Sequence, residues 1–140
     1  NRCRRQRQMC IRDRVNTGLD AMEEVRHYIE RHRRDIFFPF EARRTKADTG
    51  WLSPFQDEDR ISIAVHCYHK DTYEFLFSHV EPIFRKAGGR PHWGKLNNLT
   101  HDMACTLYPD FENFKALRHE LDPSGRMLNP YLERLFGVQP

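Results

Sequence analysis

The chain of 140 residues is long enough for one domain with a hydrophobic core, and its 39% apolar, 31% charged and 12% aromatic residues are typical of globular proteins. It contains no run of 18 apolar residues and no apolar segment near its start, which argues against a membrane-spanning helix and a secretory signal. The formal net charge of +3 invites a nucleic-acid interpretation, but this charge is unevenly distributed.

Residues 1–14 carry the whole positive excess. The segment NRCRRQRQMCIRDR contains six Arg and one Asp, a net charge of +5, which leaves −2 for residues 15–140. One interpretation is a basic arm that contacts phosphates, as in a non-catalytic binding module for nucleic acid. The negative charge of the remaining chain argues against such a module, so we expect no nucleic-acid partner.

The run RRQRQMCIRDR, residues 4–14, favours a different origin. It equals one reading frame of a common transposase sequencing adaptor, so we interpret residues 1–14 as a non-native scar on a sequence assembled from metagenomic DNA. This hypothesis predicts that residues 1–14 are disordered and that residues 15–140 are a C-terminal piece of a longer protein. It fails if residues 4–14 pack against the domain.

The next segments predict one helix and one strand. AMEEVRHYIERH has apolar residues at helical spacing, and Asp20 with Glu23 resembles a capping arrangement before it. DIFFPFEARRTKAD predicts a strand near a sheet edge. Glu41, Arg43 and Thr45 share one face of that strand because side chains alternate along it.

The clearest strand pattern is RISIAVHCY, residues 60–68, in which apolar residues alternate with a second face that includes His66. A helix over residues 72–86 is expected to kink or divide at Pro82 and to end at Gly88. RPHWGKL then predicts a third strand, with His92 and Gly94 on one face and Trp93 and Lys95 on the other.

The remaining sequence is predicted to be helical. A short helix near residues 99–107 precedes a helix with an apolar stripe and a terminal helical turn in NPYLERLFG; the stripe consists of Phe111, Phe114, Leu117 and Leu121. The order of elements predicts an α+β domain. We expect a small, mainly antiparallel and incomplete sheet of about three strands, covered by helices, with a helical C-terminal segment.

The residues alone leave the chemistry open. Glu41 and Arg43 are consistent with a solvated ion pair, His66 with a structural hydrogen bond and Lys95 with a surface charge. Lys95 is equally consistent with a base or an anion partner, because the pKa of a lysine falls readily on burial. His66 and His69 point to opposite faces of a strand, and no HExxH or paired CxxC motif is present, so no metal site is predicted. Phosphate loops and GxSxG are also absent.

Four segments together carry a resemblance to a known family: FPFEARRTKAD…WLSPF, ISIAVHCYHKD, VEPIFRKAGGRPHWGKLNNLT and LYPDFENFKALRHELDPSGRMLNPYLERLFG. In order and spacing they resemble the C-terminal region of the sugar-1,4-lactone oxidases, which include D-arabinono-1,4-lactone and L-gulonolactone oxidases, with alditol oxidase as a relative. These are flavoproteins of the vanillyl-alcohol oxidase superfamily. The resemblance covers nearly all of residues 19–137, and GGRPHWGK is its most specific motif.

This resemblance implies a C-terminal domain that covers the flavin ring and forms a sugar pocket. FAD is the implied cofactor, bound by an upstream domain whose His often links to it covalently. The implied reaction is oxidation of a sugar-1,4-lactone by hydride transfer to flavin N5, with reoxidation by O2 or another acceptor. An alditol oxidase acting on polyols is the alternative. We expect a cytoplasmic protein, with peripheral membrane association open for the intact enzyme, and no activity from this chain alone.

The same resemblance implies roles for six residues. Glu41 would bond substrate hydroxyls, and Arg43 would hold the substrate and stabilise negative charge on the reduced flavin. His66 would line the substrate pocket. The flavin side would be contacted by three further residues: Lys95 beside the reacting carbinol, His92 close to it, and Asn129. The implied catalytic set is Lys95, Arg43 and Glu41.

Overall fold

The computed structural model describes residues 6–138. They form an antiparallel sheet of four strands in the order β2-β3-β1-β4, together with five α-helices. The strands are β1 (Gln6–Arg14), β2 (Glu41–Thr45), β3 (Arg60–Tyr68) and β4 (Arg90–Pro91), and the helices are α1 (Val15–His32), α2 (Glu81–Lys86), α3 (His101–Leu107), α4 (Phe111–Leu121) and α5 (Pro130–Phe136). The predicted α+β class is confirmed. Among the described residues, no helix combines the length and apolar character needed to cross a bilayer.

Strand β1 contradicts the prediction that residues 1–14 are disordered, for those residues that the structure describes. β1 lies inside the sheet and pairs with β3 from Gln6↔Tyr68 to Arg14↔Arg60. Met9 and Ile11 are buried, at 1% and 2% exposure. They lie two residues apart and therefore share the core face, an alternation that the high arginine content conceals. The sheet consequently has four strands where three were predicted. Residues 1–5 lie outside the described residues. The packing of residues 6–14 against the domain meets the condition under which the adaptor interpretation fails, so the structure argues against a non-native origin of this segment.

Helices α1 and α2 cover one face of the sheet. Their apolar residues pack on those of β1 and β3 in a single cluster, which includes Met9, Ile11, Val25, Ile63, Val65 and Phe84. Helix α1 begins at Val15, directly after β1, so the predicted cap at Asp20 is wrong. Its predicted apolar stripe is confirmed, because Ala21, Val25 and Ile29 are all buried.

The helix around Pro82 is irregular, as predicted. A π-helical turn, Leu76–Val80, precedes α2, and Pro82 lies within the first two residues of α2. Proline has no N–H to donate to the preceding turn, which is consistent with a change of helix type there. Gly88 has a φ of +87° and ends the helix, as predicted. At Gly89 a Cβ would lie 2.5 Å from Cγ2 of Ile11, so glycine permits β4 to approach β1.

The predicted strand RPHWGKL is mostly a turn. Only Arg90 and Pro91 pair with β1 in the ladder. A turn follows at residues 92–95, where the backbone N–H of Lys95 donates to the carbonyl of His92 at 3.0 Å, and the N–H of Leu96 then donates to the carbonyl of Gln8 on β1 at 3.1 Å. The predicted alternation of side chains is therefore wrong, because it holds only for an extended backbone. Pro91 also has no N–H with which to continue the ladder.

A second apolar cluster joins α3, α4 and α5. Its buried members are Leu99, Ala104, Tyr108, Phe111, Leu135 and Phe136. Trp93 packs against this cluster, and its indole N–H donates to the hydroxyl of Tyr108 at 2.9 Å. The predicted stripe of α4 is only partly buried, because Leu117 and Leu121 are 41% and 76% exposed.

Candidate functional site

A pocket of about 300 Å³ lies on the face of the sheet opposite α1 and α2. Three strands and the turn after β4 contribute its lining, which consists of Gln8, Arg12, Glu41, Arg43, Ser62, Ala64, His92 and Lys95. We call this site the sheet pocket.

The register of the strands explains why a pocket forms there. Ser62 on β3 is paired with Arg43 on one side and with Arg12 on the other, and Ala64 is paired with Glu41. Cross-strand neighbours on one face lie close enough for their side chains to interact. Small side chains on β3 therefore form the floor, and long polar side chains on β1 and β2 form the walls.

The lining of the sheet pocket is electropositive. It contains three basic side chains, Arg12, Arg43 and Lys95, and a single carboxylate, that of Glu41. Arg43 donates to Glu41 at 2.5 Å, but both side chains are largely exposed, so this pair contributes little to stability. Among the side chains that the structure describes, Lys95 has no carboxylate partner. The pocket is therefore suited to a ligand that carries or develops negative charge.

His92 enters the pocket from the turn. The backbone N–H of Gly94 donates to its Nδ1 at 3.0 Å, so Nδ1 accepts and the neutral ring carries its proton on Nε2. Burial lowers the pKa of His92 below its ordinary value, and the nearby charges of Arg12 and Lys95 lower it further. A Cβ at Gly94 would lie 3.2 Å from Cε1 of His92, so glycine leaves room for this ring position.

His66 lies beside the sheet pocket and contacts one of its walls. Its Nε2 is 3.8 Å from the carboxylate of Glu41, and its side chain is 10% exposed. Burial lowers the pKa of His66, and this effect outweighs the opposing attraction of Glu41. Nδ1 of His66 is buried without a hydrogen-bond partner among the described residues, which makes it an unsatisfied polar atom beside the pocket.

The structure thus brings together four of the six predicted site residues: Glu41, Arg43, His92 and Lys95 all line the sheet pocket. His66 does not line the sheet pocket but contacts Glu41, which does. Asn129 is not among the lining residues; it lies at the start of α5, where its side chain accepts a hydrogen bond from the backbone N–H of Leu132 at 2.9 Å. A flavin contact by Asn129 stays a prediction.

Four lining residues were missed by sequence reasoning: Gln8, Arg12, Ser62 and Ala64. Gln8 and Arg12 were excluded with the basic head, although their alternation with Met9 and Ile11 is the signal of a strand with one buried face. Ser62 and Ala64 were assigned to the polar face of β3. The small size of these two residues was the available signal that they form the floor of a pocket.

One group of metal-ligating side chains comes together among the described residues: His101, Cys105 and Glu112. The sequence predicted no metal site, and this group was not among the candidates weighed there. His101 and Cys105 are four residues apart on one helix, a spacing that places them on the same face and was the available signal. The thiol of Cys105 is exposed, whereas that of Cys67 is buried.

Comparison with known proteins gives consistent matches. The family model described as D-arabinono-1,4-lactone oxidase matches residues 5–135. L-gulono-1,4-lactone dehydrogenase of Mycobacterium tuberculosis is 37% identical over 120 residues, which are 86% of this chain and 28% of that protein. L-gulonolactone oxidase of Bos taurus is 37% identical over 123 residues, 84% and 27% respectively. Alditol oxidase of a Streptomyces species is 32% identical over 121 residues, 84% and 28%. The chain therefore spans little more than a quarter of the length of these relatives.

Proposed function

Because this chain belongs to the D-arabinono-1,4-lactone oxidase family, we propose that it is the cap and substrate-binding part of an FAD-dependent oxidoreductase that oxidises a sugar-1,4-lactone. The observation that carries the proposal is the sheet pocket, where Glu41, Arg43, His92 and Lys95 converge on one uncovered face of the sheet. An ordinary structural sheet gains nothing from such a cluster, because charged side chains there pair weakly in water.

The residues of the sheet pocket fit a flavin and a polyhydroxy substrate in charge and in hydrogen-bonding capacity. The three cations match the negative charge that a flavin carries after it accepts electrons. The carboxylate of Glu41 offers an acceptor for hydroxyl groups. When bound, FAD supplies the hydride acceptor that oxidation of a secondary alcohol requires.

The chain's own residues would bind and orient the substrate. Glu41 can accept hydrogen bonds from substrate hydroxyls, while Arg43 holds its carboxylate and His66 lies against it at 3.8 Å. His92 would donate from Nε2, because its Nδ1 already accepts a hydrogen bond from Gly94. Lys95 and Arg43 would stabilise the negative charge that develops as the alcohol is oxidised.

A polyol is the second candidate substrate, because alditol oxidase covers as much of this chain as the lactone-named relatives do. The names of the relatives include both oxidases and a dehydrogenase, so O2 and another acceptor both remain proposals. We also propose a cytoplasmic location, with peripheral membrane attachment open for the intact enzyme. A covalent link between FAD and a His of another domain stays a prediction.

The proposal is tested with the intact protein encoded by the complete gene. Flavin absorbance is followed in a rapid-mixing instrument after addition of L-gulono-1,4-lactone, D-arabinono-1,4-lactone or xylitol. We expect the lactones to reduce the flavin fastest. Faster reduction by xylitol would favour the alditol alternative, and no reduction by either class would contradict the proposal.

Lys95→Ala should slow flavin reduction by about tenfold or more, because a positioned cation is lost from the pocket. Lys86→Ala is the matched control, since Lys86 is an exposed lysine in the last turn of α2, on the other side of the sheet. An unchanged rate of flavin reduction in Lys95→Ala would show that Lys95 is not part of the substrate site.

A further inference from the structure

Three metal-ligating side chains lie together on the helical segment and are not part of the sheet pocket. His101 is the first residue of α3, Cys105 follows one turn later, and Glu112 lies in the first turn of α4. One ligand atom from each lies within 4.8 Å of the others. We call this group the His–Cys–Glu cluster.

Two of the three distances between ligand atoms in the His–Cys–Glu cluster match those around a tetrahedral metal ion, and the third, from His101 to Glu112, is within 4.8 Å. The sulfur of Cys105 is 3.6 Å from Nε2 of His101 and 3.6 Å from Oε1 of Glu112. Zinc bonds of about 2.3 Å to sulfur and about 2.0–2.2 Å to nitrogen or oxygen, at tetrahedral angles, separate these ligand atoms by about 3.5–3.6 Å. Both measured distances agree with that geometry.

The ring of His101 is already oriented for a metal. Its Nδ1 is 2.8 Å from the backbone carbonyl of Leu135, which can only accept, so Nδ1 carries the proton and the lone pair of Nε2 faces Cys105. A histidine that ligates zinc almost always donates its other N–H to an acceptor of this kind. Phe111 packs edge-on against the ring at 5.7 Å, and a Cβ at Gly137 would lie 3.3 Å from its Cε1, so glycine leaves room for the ring.

Glu112 also has a competing partner. Its Oε1 accepts a hydrogen bond from Lys115 at 3.1 Å, in an ion pair whose carboxylate side chain is 67% exposed. An exposed pair of this kind contributes little, so a divalent cation can replace it. Thiolate and carboxylate together balance a charge of +2, and binding releases the thiol proton to solvent.

We propose that the His–Cys–Glu cluster binds one Zn²⁺ through Nε2 of His101, Sγ of Cys105 and a carboxylate oxygen of Glu112, with water as the fourth ligand. Thiolate, imidazole and carboxylate are all ligands that zinc binds in proteins, and the thiolate disfavours hard ions such as Mg²⁺ and Ca²⁺. The ion links α3 to α4, and the bond from His101 to Leu135 extends this link to α5. The site therefore stabilises the helical segment that packs around Trp93.

The test uses the reduced, metal-free 140-residue chain. Co²⁺ serves as a spectroscopic substitute, and we expect one ion per chain, with visible bands of tetrahedral coordination and a sulfur-to-cobalt charge-transfer band. Added Zn²⁺ should remove both signals. Cys105→Ser should abolish the charge-transfer band, and His101→Gln or Glu112→Gln should weaken binding by more than the ~10–100-fold that loss of an outer partner costs.

His119→Gln is the matched control, because His119 is an exposed histidine on α4 outside the cluster. Equal weakening in this variant, or a charge-transfer band that survives Cys105→Ser, would contradict the proposal. A second measurement needs no variant. Zn²⁺ should protect Cys105 of the unaltered chain from alkylation, as mapped by mass spectrometry, and an unchanged alkylation rate would overturn the site.

Discussion

The two faces of the sheet are built from alternate residues of the same strands, and they differ in polarity, in charge and in whether helices cover them. One face carries Met9, Ile11, Ile63 and Val65 and is sealed by α1 and α2. On the other face are the arginines, the carboxylate and the small residues of the sheet pocket, which none of these helices covers. Burying those charges without partners would be costly, so this face stays open. The covered face supports the fold, and the open face is available for a ligand.

The largest expected effect comes from removing β1. Deletion of residues 1–14 takes away an interior strand and the buried side chains of Met9 and Ile11, each of which contributes about 1.5–3 kcal/mol. We expect the chain to lose its cooperative unfolding transition by circular dichroism. Deletion of residues 1–5, which leaves β1 intact, is the control. An unchanged unfolding transition after deletion of residues 1–14 would show that β1 is not part of the native fold, and it would support the adaptor hypothesis.

A single truncation on the covered face should have a smaller effect that is restricted to stability. Ile63→Ala removes a side chain that is 1% exposed and should lower the free energy of unfolding by about 2–5 kcal/mol. Chemical denaturation measures this change. Its neighbour Ser62 points to the open face, so Ser62→Ala should cost far less. Equal losses in both variants would show that the two faces do not differ as described.

The smallest expected effect is a dependence of folding stability on pH, which arises from His66 beside the open face. The pKa of His66 lies below its ordinary value of 6.5, because burial disfavours the charged ring. Below pH 6.5 the unfolded chain therefore holds more protons at this site than the folded chain, and stability falls as pH falls. The carboxylates whose pKa is lowered, such as that of Glu58, affect stability in a separate and more acidic pH range.

Comparison of unfolding free energies at about pH 7 and pH 5 tests this sign. His66→Gln should reduce the dependence in that window, and the remainder is expected from His92, whose pKa is lowered by burial as well. His119→Gln, at an exposed position, should leave the dependence as it is. If the free energy of unfolding changed with pH equally in the native chain and in His66→Gln, His66 would be excluded as the source of the dependence.

Sequence reasoning succeeded where a pattern repeats locally. Strand β3 has the predicted bounds of residues 60–68, and the stripe of α1 is buried as predicted. The family resemblance identified Glu41, Arg43, His92 and Lys95, which the structure brings to one pocket. Alternation alone had placed His92 and Lys95 on opposite faces. The hydrogen bond that closes the turn from Lys95 to His92 could not be inferred from an assumed extended strand.

Strand β1 was missed because residues 4–14 were interpreted as an adaptor scar, so the alternation of Met9 and Ile11 with polar residues was not interpreted as a strand. The His–Cys–Glu cluster, in contrast, depends on contacts that no local pattern encodes. It needs α3 and α4 to meet, and the orientation of its histidine needs the carbonyl of Leu135, 34 residues away along the chain. Long-range packing determines both, so the sequence offered only the spacing of His101 and Cys105.

The central claim, that the open face of the sheet is the substrate site, is tested most directly by two neighbours on β2. Arg43 lines the sheet pocket, whereas Arg44 points to the other side of the strand and lies near Asp59. In the intact enzyme, Arg43→Ala should slow flavin reduction by sugar lactone by about tenfold or more, and Arg44→Ala should leave the rate unchanged. Equal rates in the two variants would contradict the account.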